Sequence, residues 1–365
     1  MSKLRIGIIG AGGIAHAHMR SYLDMDDVEI IGASDIIPGK ARKFLDEFGL
    51  KDIPAFENND ELLAFKPDGV SVCTYNTQHH TCACAAMKAG VNVLCEKPMS
   101  VTLDQAVEMA KCQKETGKIL TIGFQPRYGE NMKMIKHLVR SGELGHIYYV
   151  QTGGGRRRGI PGGTFVQKNL AGVGCLADIG CYGLDMALNA VGYRKPVTVS
   201  AYASDYFGKN PKYYDSTNNP EFTVDDFTCA LIRFEDGLVM DFRMSWAMHM
   251  DTMGDTLFLG TEGGLKVKSP HPESTWGGAW DGGVGDVFLY KDVDGNHVEV
   301  KIPTREERKD KGFFYQKCRA FCDAILTDGP SPIPWQEIIY NQAIIDGIIR
   351  SSALKREVEV NIPEI

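Results

Sequence analysis

A glycine-rich turn between a β-branched strand and a helix constrains this chain more than any other feature. Leu4-Arg5-Ile6-Gly7-Ile8-Ile9 reads as a buried strand. Gly10-Ala11-Gly12-Gly13-Ile14-Ala15 follows, and a helical stretch then runs to about residue 23. This is G-x-G-x-x-A between strand and helix, the context in which the pattern has a mechanism. Gly10 permits the tight turn and Gly12 lets the backbone approach a pyrophosphate. Ala15 is small enough for close helix–strand packing. The helix N-terminus at Gly13 and Ile14 supplies N–H donors and positive dipole to phosphates.

A second strand, 28–34, ends in Asp35. An acid about 20 residues past the glycines is placed to bind the adenosine ribose hydroxyls. Ile36 and Ile37 are apolar, where a 2′-phosphate would want Arg or Lys, and the nearest arginine, Arg42, lies in the next predicted helix. The expected cofactor is therefore NAD. Strand and helix continue to alternate: helices at 40–48, 59–65, 79–89 and 103–116, strands at 69–74, 90–95 and 118–123. That alternation predicts a doubly wound parallel sheet over residues 1–123. After Gly123 the pattern changes. A helix near 131–141 leads to successive strands at 147–153, 197–206, 227–234, 238–245, 256–259 and 265–267. The expectation for 124–365 is an α+β domain for substrate and oligomerisation, with an open, mainly antiparallel sheet. Helices are read at 313–326 and 335–352, the latter folding back onto the first domain.

Glu96-Lys97-Pro98 closes one of the buried-looking strands. Alone, the tripeptide reads as a surface strand end. In a parallel sheet, a lysine at a strand's C-terminal edge faces the crevice where ligands bind. A lysine partly desolvated there can lose its proton near neutral pH, which makes it a usable general base. A second cluster, Asp178, Tyr182 and Asp185, lies in the run 171–185. If Cys181 onward is helical, Asp178 lies near its N-terminus and Tyr182 one turn on, a pair suited to hold a substrate hydroxyl. An N-cap aspartate and a core tyrosine is the alternative.

The net charge of −7 leaves no basic surplus to neutralise phosphates, so no nucleic-acid partner is expected. No run of about 18 apolar residues is seen, so no membrane span is expected. The ten cysteines include no C-x-x-C pair, which reads as reduced thiols in a cytoplasmic protein with no apolar leader. No spacing suits a metal.

These residues together resemble the glucose–fructose oxidoreductase / inositol dehydrogenase family, Gfo/Idh/MocA, over nearly the whole chain. The glycine loop, Thr74-Tyr75-Asn76 with His79, Cys95-Glu96-Lys97-Pro98, Gly123-Phe124-Gln125-Pro126-Arg127-Tyr128, the stretch Gly174 to Asp185 and Gly260-Thr261-Glu262-Gly263-Gly264 carry the resemblance. It implies NAD(P)-dependent hydride transfer on sugars, glycosides or cyclitols, in homodimers or homotetramers. It places Thr74, Asn76, His79, Glu96, Lys97 and Gln125 with the cofactor. Arg127, Asp178, Tyr182 and Asp185 go with Lys97 on the substrate side. Most members carry histidine where this chain has Tyr182, though some have tyrosine. With an unperturbed pKa near 10, a phenol suits a hydrogen-bond partner better than a base, which moves the base role to Lys97. Asp178 then orients or supports it. Arg156, in Arg156-Arg157-Arg158, is a candidate for a bidentate hold on a substrate anion, or part of a solvated basic loop. Trp276 and Trp280 are candidates for stacking on a sugar or for a subunit contact. The expected reaction is oxidation of a secondary hydroxyl, with a glycoside 3-hydroxyl as the favoured position. NAD-assisted glycoside cleavage and a non-catalytic NAD sensor are the rival readings.

Overall fold

The computed structural model describes residues 3–251, 253–269, 284–304 and 311–365. By contact they divide into two units: the described residues within 1–125, 308–338 and 364–365, and those within 126–307 and 339–363. The first unit is thus discontinuous, where the sequence reading ends it at 123. Helix Phe313–Leu326 belongs to it, and of helix Trp335–Leu354 only the first turn does.

The first unit holds six strands: β1 Leu4–Ile9, β2 Val28–Ser34, β3 Ala55–Phe56, β4 Gly69–Val72, β5 Asn92–Cys95 and β6 Leu120–Ile122. They form one parallel sheet in the order β3-β2-β1-β4-β5-β6. Ile6, Ile8, Ile9, Val70, Val72, Val93 and Leu94 are all fully buried. Strands covered on both faces read as near-continuous apolar runs, which is why the sequence shows them plainly. The helices are α1 Gly13–Leu23, α2 Lys40–Glu47, α3 Asn59–Ala64, α4 His79–Lys88 and α5 Leu103–Thr116. α5 begins on Thr102, whose hydroxyl accepts from Gln105 N at 3.3 Å, and ends on left-handed Gly117. Helix Phe313–Leu326 completes the cover. Cys318, Phe321 and Cys322 join the core of Ile6, Ile8, Ala15 and Leu94. The strand order reverses between β1 and β4, which sets the ligand crevice at their C-terminal ends.

The second unit is built on nine strands: β7 Ile147–Gly155, β8 Pro196–Ser204, β9 Phe227–Phe234, β10 Val239–Ser245, β11 Thr256–Gly260, β12 Gly263–Val267, β13 Val287–Val293, β14 Asn296–Ile302 and β15 Val358–Glu359. Their order is β14-β13-β12-β11-β7-β10-β9-β8-β15, antiparallel except for β7 beside β10. The β13–β14 hairpin is absent from the sequence reading. Its turn is Asp294-Gly295, both at positive φ (50° and 75°), as a two-residue hairpin turn requires.

One helical run, Lys168–Val191, is long and apolar enough to cross a membrane by length and composition, contrary to the sequence count. It is 78% buried within the structure, as a core helix would be. All ten cysteines are free thiols, nine of them buried.

Candidate active site

The dinucleotide loop takes the shape its residues dictate. Gly10 sits at φ 89°, and a Cβ there would stand 2.8 Å from the Cys73 backbone, so only glycine fits. A Cβ on Gly13 would meet nothing within 4 Å, so the loop is open on that side. Gly12 caps α1 without a side-chain hydrogen bond, leaving the first N–H groups of the helix for an anion. Asp35, nearly buried at the end of β2, accepts from Ala11 N and from Ile37 N, each at 2.9 Å, and so ties the loop to the ribose corner. Lys40 Nζ also stands 3.0 Å from Asp35 Oδ2, a basic neighbour the sequence reading did not single out. Thr74 and Asn76, after β4, are half-buried at the same strand ends. These residues fit a bound NAD.

Lys97 is the only partly exposed residue in the run 93–100. Two anchors hold the segment around it. His79, the first residue of α4, bonds the Pro98 carbonyl through Nδ1 at 2.7 Å. Burial lowers its imidazole pKa, so the ring stays neutral at neutral pH and Nδ1–H is the donor. Glu96 points the other way, into the core, where His18 Nε2 lies 2.7 Å from Oε1 and Lys317 Nζ pairs with the same oxygen. His18 Nδ1 is 2.9 Å from Ser71 Oγ, which is 2.7 Å from the Tyr22 hydroxyl. One proton arrangement satisfies the chain: Tyr22 donates to Ser71, Ser71 to His18 Nδ1, and His18 Nε2–H to Glu96. Burial alone would raise the Glu96 pKa. The Lys317 charge and the His18 hydrogen bond outweigh it and hold the carboxyl far below its ordinary range. Burial, followed by the Lys317 charge, lowers His18 to about 4. The sequence reading counts Glu96 and His79 among the cofactor contacts. In the structure the Glu96 carboxylate is held by His18 and Lys317, while His79 uses Nδ1 on Pro98 and keeps Nε2 buried and without a hydrogen-bond partner among the described residues.

In the second unit, Asp178 lies in a π-helical turn, Leu176–Gly180, that runs straight into helix Cys181–Val191. It is therefore inside a continuous helical run rather than capping one. Such turns are frequent at functional sites, and the widened backbone leaves a carbonyl to be satisfied elsewhere. Here Asn341 Nδ2 donates to Cys181 O at 2.9 Å. Asp178 is the only residue between 174 and 191 that is not buried. Trp246 Nε1 donates to its Oδ2 at 3.0 Å. Tyr182, in the first turn of the helix that follows, is buried. Thr152 on β7 fixes the helix by donating to Gly183 O at 3.1 Å.

Asp185, expected to meet a substrate hydroxyl, is 1% exposed. Arg127 grips both of its oxygens, Nε to Oδ2 at 2.8 Å and Nη2 to Oδ1 at 2.5 Å, and lies over the Tyr193 ring. Those two substrate candidates are thus a buried bidentate clamp on each other. Arg156 is also buried and donates through Nη1 to Gly159 O at 3.3 Å, while Arg157 and Arg158 are exposed. Gln125 is buried at the start of the turn Gln125–Tyr128. Trp276 and Trp280 lie outside the described residues. Trp246, Lys317 and His18 escape a sequence reading because each matters through a contact distant in the chain.

Known proteins extend this picture. A model described as "Oxidoreductase family, NAD-binding Rossmann fold" matches residues 4–124, and the GFO/IDH/MocA C-terminal domain matches 132–266. The chain is 31% identical over 276 residues to the D-glucoside 3-dehydrogenase of Escherichia coli, covering 74% of this chain and 78% of that one. It is 33% identical over 186 residues to the glucose-6-phosphate 3-dehydrogenase of Bacillus subtilis, covering 50% and 52%. An aldose-aldose oxidoreductase structure from Caulobacter crescentus superposes with a TM-score of 0.75 at 23% identity, over 98% of this chain and 99% of that one. A levoglucosan dehydrogenase complex with NADH gives 0.80 at 20% identity, over the whole of both chains. The structural likenesses show the fold, and the sequence matches show the lineage. This chain is a member of the GFO/IDH/MocA family, an NAD-binding oxidoreductase of the sugar and cyclitol dehydrogenase kind.

Proposed function

We propose that this enzyme oxidises the 3-hydroxyl of a glucoside or closely related sugar, with Lys97 as the general base. One observation carries the reading. In each of two otherwise buried segments, the residue left facing outward is an ionisable one, Lys97 in 93–100 and Asp178 in 174–191. Burying their neighbours while exposing a charge gains nothing for packing, and it is what a reacting hydroxyl needs. The D-glucoside and glucose-6-phosphate 3-dehydrogenases among the relatives support the position oxidised.

In this mechanism Lys97 Nζ takes the hydroxyl proton as the carbonyl forms. Its segment is held by His79 at Pro98 and by the Glu96 network, so Nζ works from a fixed base. Asp178 accepts a hydrogen bond from the substrate and fixes the orientation of the reacting carbon. Tyr182 gives that end of the site a neutral hydroxyl partner. NAD, when bound, is the hydride acceptor. The outer face of the nine-stranded sheet exposes Tyr202 on β8 and Leu231 on β9, and we assign it to a second copy of this chain.

Lys97→Ala tests the assignment. The variant is expected to fold and bind NAD while kcat on glucosides falls by about 10²–10⁴-fold. NMR of the wild-type product is expected to show a 3-keto sugar. A loss of less than about tenfold removes Lys97 from the base role, and a keto group at another carbon overturns the position.

A further inference from the structure

We propose that Trp246 is a positioning residue for Asp178, fixing the orientation of that carboxylate; this rests on the role given to Asp178 above. Trp246 directly follows β10 and is fully buried. Its indole N–H ends on Asp178 Oδ2 at 3.0 Å. An indole nitrogen donates and never accepts, so it can hold a carboxylate oxygen but offers nothing to a carboxylic O–H. The contact therefore fixes which way the one outward-facing group in its segment is turned.

The surroundings are built to hold this pair in register. Trp246 N donates to Asp226 O at 2.8 Å, and Gly159 N donates to Trp246 O at 2.7 Å. The ring meets Phe222 edge-on at 6.3 Å. On the other side, the carboxylate of Asp225 receives the N–H groups of Gly174 at 2.7 Å and Leu176 at 3.0 Å, and the Cys175 thiol at 3.2 Å. Those three residues open the turn that carries Asp178. A Cβ on Gly174 would stand 1.9 Å from Asp225 O, so the two backbones meet only because residue 174 is glycine. Adjacent residues 225 and 226 thus fix both partners, the first through the aspartate's turn and the second through the indole's backbone. A donor locked this firmly costs no reorganisation when charge develops on the substrate.

The test uses Trp246→Phe, Asp178→Asn and the double variant of the full chain, with NAD affinity, thermal stability, and kcat and KM on a glucoside. Losing one hydrogen bond to a charged group is expected to lower kcat about ten- to hundred-fold in Trp246→Phe. KM for the glucoside should change far less than kcat, because the carboxylate stays in place but is no longer aimed. NAD affinity should hold. In the Asp178→Asn background the Trp246→Phe change should cost nothing further, because the indole acts only through the carboxylate. A purely packing role would lower thermal stability and leave kcat unchanged, which overturns the proposal. So does an additive loss in the double variant. Should Trp246→Phe not fold, the four tryptophans of the wild-type chain give few indole N–H signals to follow by nitrogen-15 NMR. One of them should shift in Asp178→Asn, and no shift overturns the proposal. Full activity in Asp178→Asn would remove the assigned role of Asp178 and this one with it. An inactive Asp178→Asn beside an unaltered Trp246→Phe removes only the role of Trp246.

Discussion

Replacing Lys317 with methionine isolates the electrostatics beneath the Lys97 segment. Methionine keeps the length of the aliphatic chain, so little packing is lost, but the ammonium facing Glu96 disappears. The Lys317 and Glu96 side chains are 1% and 5% exposed, so solvent cannot stand in for the missing charge. Removing one partner of a buried ion pair costs about 3–5 kcal/mol, because the other charge stays behind uncompensated. The expected result is a first unit that loses NAD binding at a urea midpoint lower by about 1–3 M. Adding Glu96→Gln should recover part of the loss by removing the stranded charge.

The pH dependence supplies a second signature. His18 titrates near 6.5 when unfolded and at about 4 when folded. Between those values the unfolded chain binds a proton the folded chain refuses, so wild-type stability falls as pH drops through the window, by about 3 kcal/mol at its acid end. Glu96, depressed in the folded state, adds a further loss below its unfolded value of 4.5. Without Lys317 the repulsion on His18 is relieved, its folded pKa rises, and the loss between pH 6.5 and 4 should shrink. A Lys317→Met enzyme within about 1 kcal/mol of wild type at pH 7, with an unchanged acid profile, would refute a charged Glu96 held by Lys317.

Two further outcomes follow from the site. Asp35→Ala should raise KM for NAD and narrow the preference over NADP, because the carboxylate binds the ribose and repels a 2′-phosphate; with Lys40 3.0 Å away, the wild-type discrimination is expected to be modest, and an enzyme that prefers NADP would contradict the reading. Tyr182→Phe should lower kcat by about ten- to hundred-fold with cofactor affinity kept, while Tyr182→His is better tolerated, and unchanged kcat/KM across glucosides in the phenylalanine variant would make Tyr182 a packing residue.

The parallel sheet was legible because buried strands announce themselves as apolar runs and Gly10 to Ala15 sit between strand and helix. Helix α5 was read to the residue because Thr102 and Gly117 mark its ends. The β13–β14 hairpin has its signal in Asp294-Gly295 between alternating runs. The π turn around Asp178 could not be read, since no local residue preference specifies a five-residue ring. Glu96 and Asp185 show a different limit. Their motif positions were apparent, but which side of the strand or helix their charges serve depends on Lys317 and Arg127, partners far along the chain. The same distance hid Trp246.

Helix Phe313–Leu326 sets an order on the birth of the molecule. Glu96 and Lys317 are separated by 221 residues, and the whole described second unit up to residue 304 is made in that interval. A nascent chain thus carries its glycine loop, its ribose acid and Lys97 long before the counter-charge that lets Glu96 sit inside. The core of the dinucleotide unit is begun first and closed only after most of its neighbour has been made, and a fragment cut at residue 125 lacks the piece that neutralises it.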